Sequence, residues 1–116
     1  MTAPIVFFDI AGPDFTSQKA FYEAVFDWKV GPGGMLSVPV SGPMLNGVLR
    51  TDPSERMIYL GVPDVKATLE KVEEQGGKVV APRFEVKGVV VLGLFTDPCG
   101  NRMGVVEMNG DKPVIP

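Results

Sequence analysis

The chain has 116 residues, 45% of them hydrophobic and 22% charged, which is the makeup of one globular domain with a single core. Eleven basic against fourteen acidic residues leave a net charge of -3 with no basic block, so nucleic acid is not an expected partner. Histidine is absent and Cys99 is the single cysteine, which excludes a His or Cys zinc site, a histidine general base, a Ser-His or Cys-His nucleophile pair and an internal disulfide; any metal would need oxygen ligands.

Pro4 to Ile10 reads as a strand with Ile5, Phe7 and Asp9 on one face and Val6, Phe8 and Ile10 on the other. Gly12-Pro13 ends it. Asp14 is an N-cap for the helix that follows, with Thr16 and Ser17 as alternatives, and Phe21, Ala24, Val25 and Trp28 fall at spacings that suit one buried side. Gln18, Lys19 and Glu23 fall on the wet side. Asp27 stands where left-handed backbone ends a helix.

Three short apolar pieces follow, Trp28 to Val30, Met35 to Val40 and Met44 to Arg50, separated by Gly31-Pro32-Gly33-Gly34 and Ser41-Gly42-Pro43. They predict three strands of a meander. The glycine-rich break lacks the Lys-Ser/Thr pair and the following helix of a phosphate loop, so it reads as a turn. Ser41 has no His or Lys nearby in sequence to activate it.

After the polar linker Thr51 to Ser54 the order begins again. Arg56 to Val62 is a strand, Asp64 an N-cap, and Val65, Leu69 and Val72 mark one helix face before Gly76-Gly77 stops it. Lys78 to Ala81 is the next strand, resuming through Phe84 to Val86 beyond Pro82. Val89 to Phe95 and Arg102 to Met108 close the set, joined by Asp97-Pro98-Cys99-Gly100-Asn101, whose residue types predict a tight reversal. The sum is two β-α-β-β-β modules, about 4–50 and about 56–108, an α+β fold in one domain over 1–116. Two such modules can lay curved, mostly antiparallel sheets edge to edge with the helices outside, enclosing a cup.

No apolar run approaches the ~20 residues a membrane-spanning helix needs, and the N-terminus lacks a basic stretch followed by an apolar one, so the expectation is a cytoplasmic protein without a membrane partner. Glu107 stands out: a carboxylate in a strand that is mostly apolar on both faces requires a partner or a wet cavity. It is a ligand anchor, a general base with a raised pKa, or a structural carboxylate that is either neutralised or paired with a basic residue. Cys99, in a turn, is expected to be exposed.

Phe7-Phe8-Asp9-Ile10 leading to Lys19-Ala20-Phe21-Tyr22-Glu23-Ala24-Val25-Phe26-Asp27-Trp28, the helix stop at Gly76-Gly77-Lys78-Val79-Val80, and Phe95-Thr96-Asp97-Pro98-Cys99-Gly100-Asn101 followed by Glu107 together resemble the glyoxalase, bleomycin-resistance and extradiol-dioxygenase group, the vicinal oxygen chelate superfamily. The resemblance implies paired β-α-β-β-β modules, often in a homodimer. In metal-dependent members, inward side chains from the first and last strand of each module ligate a divalent ion. Carried onto this chain, those positions are Phe7, Tyr59, roughly Leu49, and Glu107, of which only Glu107 matches.

The expectation is therefore a glyoxalase-like protein with no cofactor, binding a small, largely apolar molecule in a cup lined by Glu107, Tyr59, Phe7 and Asp9. Phe7 and Tyr59 would replace metal ligands with ring surface. The alternatives are a divalent-metal-dependent lyase, isomerase or dioxygenase of the same superfamily, and a non-catalytic structural or regulatory subunit.

Overall fold

The computed structural model describes residues 2–40 and 42–116; Ser41, in the second expected break, lies outside the described residues. The chain resolves into two compact units, one comprising Phe7–Ile58, the other Tyr59–Pro116 with the N-terminal segment up to Val6. Helices and strands interleave in both, which is the mixed α+β class read from the sequence.

In the first unit, β1 (Ile5–Gly12) leads to α1 (Phe15–Phe26), then to β2 (Met35–Val40) and β3 (Gly42–Thr51). The Asp14 carboxylate caps α1, accepting from the Ser17 N–H at 3.0 Å and from the Ser17 hydroxyl at 2.8 Å. Asp27 ends the helix at φ 57°, and its neighbour's N–H reaches the Tyr22 carbonyl. Strand β3 lies between the other two, antiparallel to β2 and parallel to β1.

The expected strand from Trp28 to Val30 does not form. The backbone there is irregular and runs into a single 3-10 turn, Pro32–Gly34. Its polar groups are satisfied elsewhere: the Val30 N–H donates to the Glu23 carboxylate at 3.1 Å, and Trp28 stacks on Tyr22 with ring centroids 4.8 Å apart. Glu23, expected on the wet side, is thus partly buried as the acceptor that holds this segment to α1, and that N–H keeps its carboxyl below the usual range. Gly34, at φ 79°, packs so tightly that a Cβ would stand 2.0 Å from the Leu49 carbonyl oxygen.

In the second unit, β4 (Glu55–Val62) enters from the first, and α2 (Val65–Glu74), β5 (Lys78–Val86), β6 (Val90–Thr96), β7 (Arg102–Asn109) and a short β8 (Lys112–Pro113) follow. The order across the sheet is β4-β7-β6-β5, with β4 parallel to β7 and β8 paired on β7. Asp64 caps α2 through the Ala67 N–H at 2.9 Å. The two pieces expected around Pro82 are one strand, β5, with register shifts on either side of Ala81. At the tight reversal, Asp97 accepts from the Cys99 N–H at 2.9 Å, the Asn101 N–H at 2.9 Å and the Asn101 side-chain amide at 2.8 Å. Cys99 is exposed.

Each unit has its own core on the helix side of its strands. Val65 and Leu69 of α2 pack with Val62, Phe95 and Val105; in the first unit Val30, Leu36, Val38 and Leu49 pack with Phe8, Ile10, Phe15 and Tyr22. The buried face of α1 differs from the expected one. Phe15 and Tyr22 turn inward, while Phe21, Ala24 and Val25 face water. No helix among the described residues is long and apolar enough to cross a membrane.

Candidate functional site

Residues paired across a ladder project to the same face, so the parallel pairing in each unit decides which candidates of that unit share a surface. In the first unit Phe7 pairs with Asn46, Asp9 with Val48 and Ala11 with Arg50, all on the face turned away from α1. Leu49 pairs with Ile10 instead, and both belong to the helix-side core, where Leu49 is 1% exposed. The reading that placed Leu49 at an inward position is therefore corrected: the residue directly beside Phe7 on the last strand of this unit is Asn46.

The same correction applies to Glu107. Tyr59 pairs with Gly104 and Gly61 with Val106, whereas Glu107 pairs with Val62, a member of the core that packs on α2. Glu107 and Tyr59 thus lie on opposite faces of their sheet and do not line one surface. Glu107 accepts from the Val65 N–H at the start of α2 at 3.1 Å, and the Arg83 guanidinium lies 3.3 Å away; Arg83 also reaches Glu85 at 3.4 Å. A carboxylate at a helix N-terminus, paired with a cation, is stabilised by both. Hydrogen bonding to Glu107 in turn raises the Arg83 pKa. Glu107 is thus ion-paired with Arg83 and hydrogen-bonded to the start of α2.

Asp9 is the buried carboxylate on the helix-free side of the first unit, 2% exposed. Arg50 meets it, with Nε 3.2 Å from Asp9 Oδ1, while Nη1 contacts Asp52 at 2.9 Å and Nη2 contacts Glu55. Partial burial opposes the guanidinium charge, but the carboxylates of Glu55, Asp52 and Asp9 outweigh it and hold the Arg50 pKa above its ordinary value. Around Asp9 the surface holds half-buried Phe7 and Val48 and the exposed pair Ser37 and Asn46, in which the serine hydroxyl donates to the Asn46 amide oxygen.

Tyr59 in the second unit is 9% exposed, and its ring lies over Gly104, where an added Cβ would stand 2.2 Å from Cδ2. Its face continues through Gly61 on β4 and Val106 and Met108 on β7. Gly104, Asn46, Arg50 and Arg83 were not singled out from the sequence. The recoverable signal was the repeat itself: once Phe7 is matched to Tyr59, equal parallel pairings in the two modules match Asn46 to Gly104 and Leu49 to Glu107.

The superfamily's metal site can be tested on these residues. In the first unit the register pairs Phe7 with Asn46, a ring and an amide already accepting from Ser37; in the second it pairs Tyr59 with Gly104, a ring and no side chain; neither pair holds a carboxylate. Asp9 is engaged by Arg50, and no group of three or more His, Cys, Asp or Glu side chains able to hold a metal occurs among the described residues. The donor set does not fit a divalent ion.

Comparison with known proteins agrees with this architecture. The family model described as a glyoxalase-like domain matches residues 5–106. The protein named "Putative glyoxylase CFP32" of Mycobacterium tuberculosis is 30% identical over 115 residues, covering 87% of this chain and 44% of its own length. "Anthracycline biosynthesis protein DnrV" of Streptomyces peucetius is 26% identical over 129 residues, covering 86% and 47%. The chain therefore spans less than half the length of these curated relatives. Among solved structures, a methylmalonyl-CoA epimerase in complex with methylmalonyl-CoA superposes with a TM-score of 0.70 at 16% identity, over 98% of this chain and 100% of the other. A glyoxalase/bleomycin resistance protein/dioxygenase superfamily member from Vibrio splendidus gives 0.64 at 14%, over 92% and 100%. At those identities the likeness is one of fold. The match over residues 5–106 shows that the chain belongs to the glyoxalase-like domain family.

Proposed function

We propose that the protein is a cytoplasmic homodimer that binds a small, largely apolar molecule without a metal, on a sheet face turned away from the helix of its own unit. The observation that carries this reading is the residue content of Phe7, Asn46, Tyr59 and Gly104, where rings stand at the positions a metal-dependent relative fills with donors. Ring surface contributes apolar contact area and favours a planar ligand. Asp9, Arg50 and Asn46 supply the polar groups that orient such a ligand beside Phe7. Glu107 has no part in it, because it serves the start of α2 on the other face.

A relative named for anthracycline biosynthesis supports a planar polycyclic ligand class. The test is a titration of the purified protein with a panel of planar aromatic compounds, read by ligand absorbance or native mass spectrometry, together with elemental analysis. The expected result is binding that Tyr59→Ala weakens at least tenfold, with no stoichiometric metal. One divalent ion per chain that survives dialysis would overturn the reading in favour of a metal-dependent lyase, isomerase or dioxygenase. Wild type that binds nothing in the panel and carries no co-purified molecule would favour a structural or regulatory subunit.

A further inference from the structure

The sequence holds three asparagines, and two of them, Asn46 and Asn109, are followed by glycine. In that dipeptide the main chain can attack the side chain, because glycine has no Cβ to obstruct the approach of its amide nitrogen to the asparagine Cγ. The two pairs share their local chemistry and differ in setting. Asn46 lies within β3, the strand flanked by β1 and β2, where it pairs with Phe7 on one side and Ser37 on the other. Its amide oxygen accepts from the Ser37 hydroxyl. Gly47 is buried and paired with Phe8 and Leu36, and the Phe8 ring covers it so closely that a Cβ would stand 2.1 Å from a ring carbon. Extended backbone held from both sides keeps the Gly47 nitrogen away from the Asn46 Cγ. Asn109, by contrast, is the last residue of β7 and is exposed. Gly110 follows it at φ 65° in the exposed two-residue loop Gly110-Asp111, with open space where a Cβ would be. The third asparagine, Asn101, precedes Arg102, and its side-chain amide is held by Asp97 at 2.8 Å.

We propose that Asn109 is a site of spontaneous deamidation, and that its isoaspartyl product releases the C-terminal segment from β7. The Gly110 nitrogen gives up its proton and bonds to Asn109 Cγ. The bond from Cγ to the side-chain nitrogen breaks, and that nitrogen leaves as ammonia. The cyclic imide so formed takes up one water. Opening at Cγ yields aspartate in an unchanged main chain, whereas opening at the backbone carbonyl carbon routes the chain through Cγ and adds a methylene to it. Either product carries one more negative charge than the -3 of the starting chain.

The two products differ in what β8 tolerates. Aspartate at 109 keeps the register and places a carboxylate opposite Lys112, a favourable cross-strand pair. Isoaspartate displaces the register of a ladder that consists of Met108 with Pro113 and Asn109 with Lys112, and Pro113 has no N–H to contribute. Beyond that ladder the chain end is tied by the Val114 N–H on the Glu107 carbonyl and the Gly88 N–H on the Pro116 carbonyl, each at 2.9 Å. Both bonds lie past the lengthened link and depend on its register. Lys112 and Pro113 are exposed and Ile115 is 67% exposed, so burial adds little to hold the segment in place.

Peptide mapping by mass spectrometry, on the full chain aged in mildly alkaline buffer, tests the site. The Asn109 peptide is expected to gain about 1 Da, in aspartyl and isoaspartyl forms, at least tenfold faster than the Asn46 peptide. In urea the two are expected to convert at similar rates. Equal conversion of Asn46 and Asn109 in the folded chain, or the same disparity in urea, would overturn the assignment of the difference to the fold. Amide hydrogen exchange on the separated isoaspartyl fraction tests the release. The Gly88 and Val114 amides are expected to exchange at least tenfold faster there than in the unaged chain, and Asn109→Asp, which brings the charge without the methylene, to keep them protected. Unchanged protection in the isoaspartyl fraction, or equal loss in Asn109→Asp, would overturn release by the lengthened main chain.

Discussion

Replacing Gly104 by alanine tests whether the contact between Tyr59 and the last strand is as close as described. Gly104 has no positive φ, so alanine is permitted by the backbone, and restricting the unfolded chain would by itself stabilise by about 0.4–1 kcal/mol. The new methyl, however, would stand 2.2 Å from Tyr59 Cδ2 and 2.4 Å from Cε2, well inside contact distance. A ring 9% exposed and seated on strand β7 has little room to retreat, and forcing a methyl into such packing costs about 1–3 kcal/mol. The net expectation is a loss of about 1–2 kcal/mol, a fall in melting temperature of roughly 4–10 °C for a chain of this size. Urea unfolding of Gly104→Ala, Tyr59→Ala and the double variant gives the coupling directly. In the Tyr59→Ala background the alanine at 104 is expected to cost nothing or to stabilise. If Gly104→Ala alone is neutral, or the two changes are additive, the ring does not rest on Gly104 and the proposed binding face is misplaced.

Other consequences are measurable in the same way. Arg50→Met removes the cation that faces buried Asp9 and is expected to destabilise by about 3–5 kcal/mol, while Asp52→Asn, at an exposed partner of the same guanidinium, stays within about 1 kcal/mol; equal effects would show that Arg50 does not serve Asp9. Glu107→Gln should cost about 1–2 kcal/mol in urea unfolding through the Val65 amide and Arg83, yet leave ligand affinity unchanged; a tenfold loss of affinity would return Glu107 to the binding face. Asp14 and Asp97 have folded pKa values below their unfolded ones, Asp14 chiefly through the Ser17 N–H and Asp97 through the Asn101 side chain. Their stabilisation is complete above the unfolded carboxylate pKa of about 4 and is lost as pH falls through the depressed folded values. Melting temperature should therefore drop on the acid side of about pH 4, and Asp97→Asn should flatten part of that drop; an unchanged slope would remove Asp97 from the acid response.

Local signals in the sequence located most elements. Asp14 and Asp64 as caps and the Asp97 to Asn101 reversal each depend on a side chain bonding its own neighbourhood, Asp27 as a left-handed stop depends on its own backbone, and each is present. The missing strand at Trp28 was not legible, because its apolar residues answer to Tyr22 and its backbone to Glu23, both contacts set by tertiary structure. Facing was legible only in part. Met103, Val105 and Glu107 alternate onto one face of β7, but with both faces apolar the sequence does not tell which face the helix covers, and that one ambiguity put Leu49 and Glu107 on the wrong side. The Phe21, Ala24 and Val25 face of α1 misled for the opposite reason, since periodicity records that a face is apolar without recording whether its own chain covers it.

The stack of Trp28 on Tyr22 gives the molecule a built-in optical label. Trp28 is the single tryptophan, and it belongs to the unit Phe7–Ile58, while the α2 helix and strands β5 to β8 belong to the other. Indole emission thus watches one half of the repeat, whereas the far-ultraviolet backbone signal watches both. Coincident denaturation curves from the two probes would mean that the halves melt as one cooperative unit; separated curves would give, without any added dye, the stability of the first half on its own.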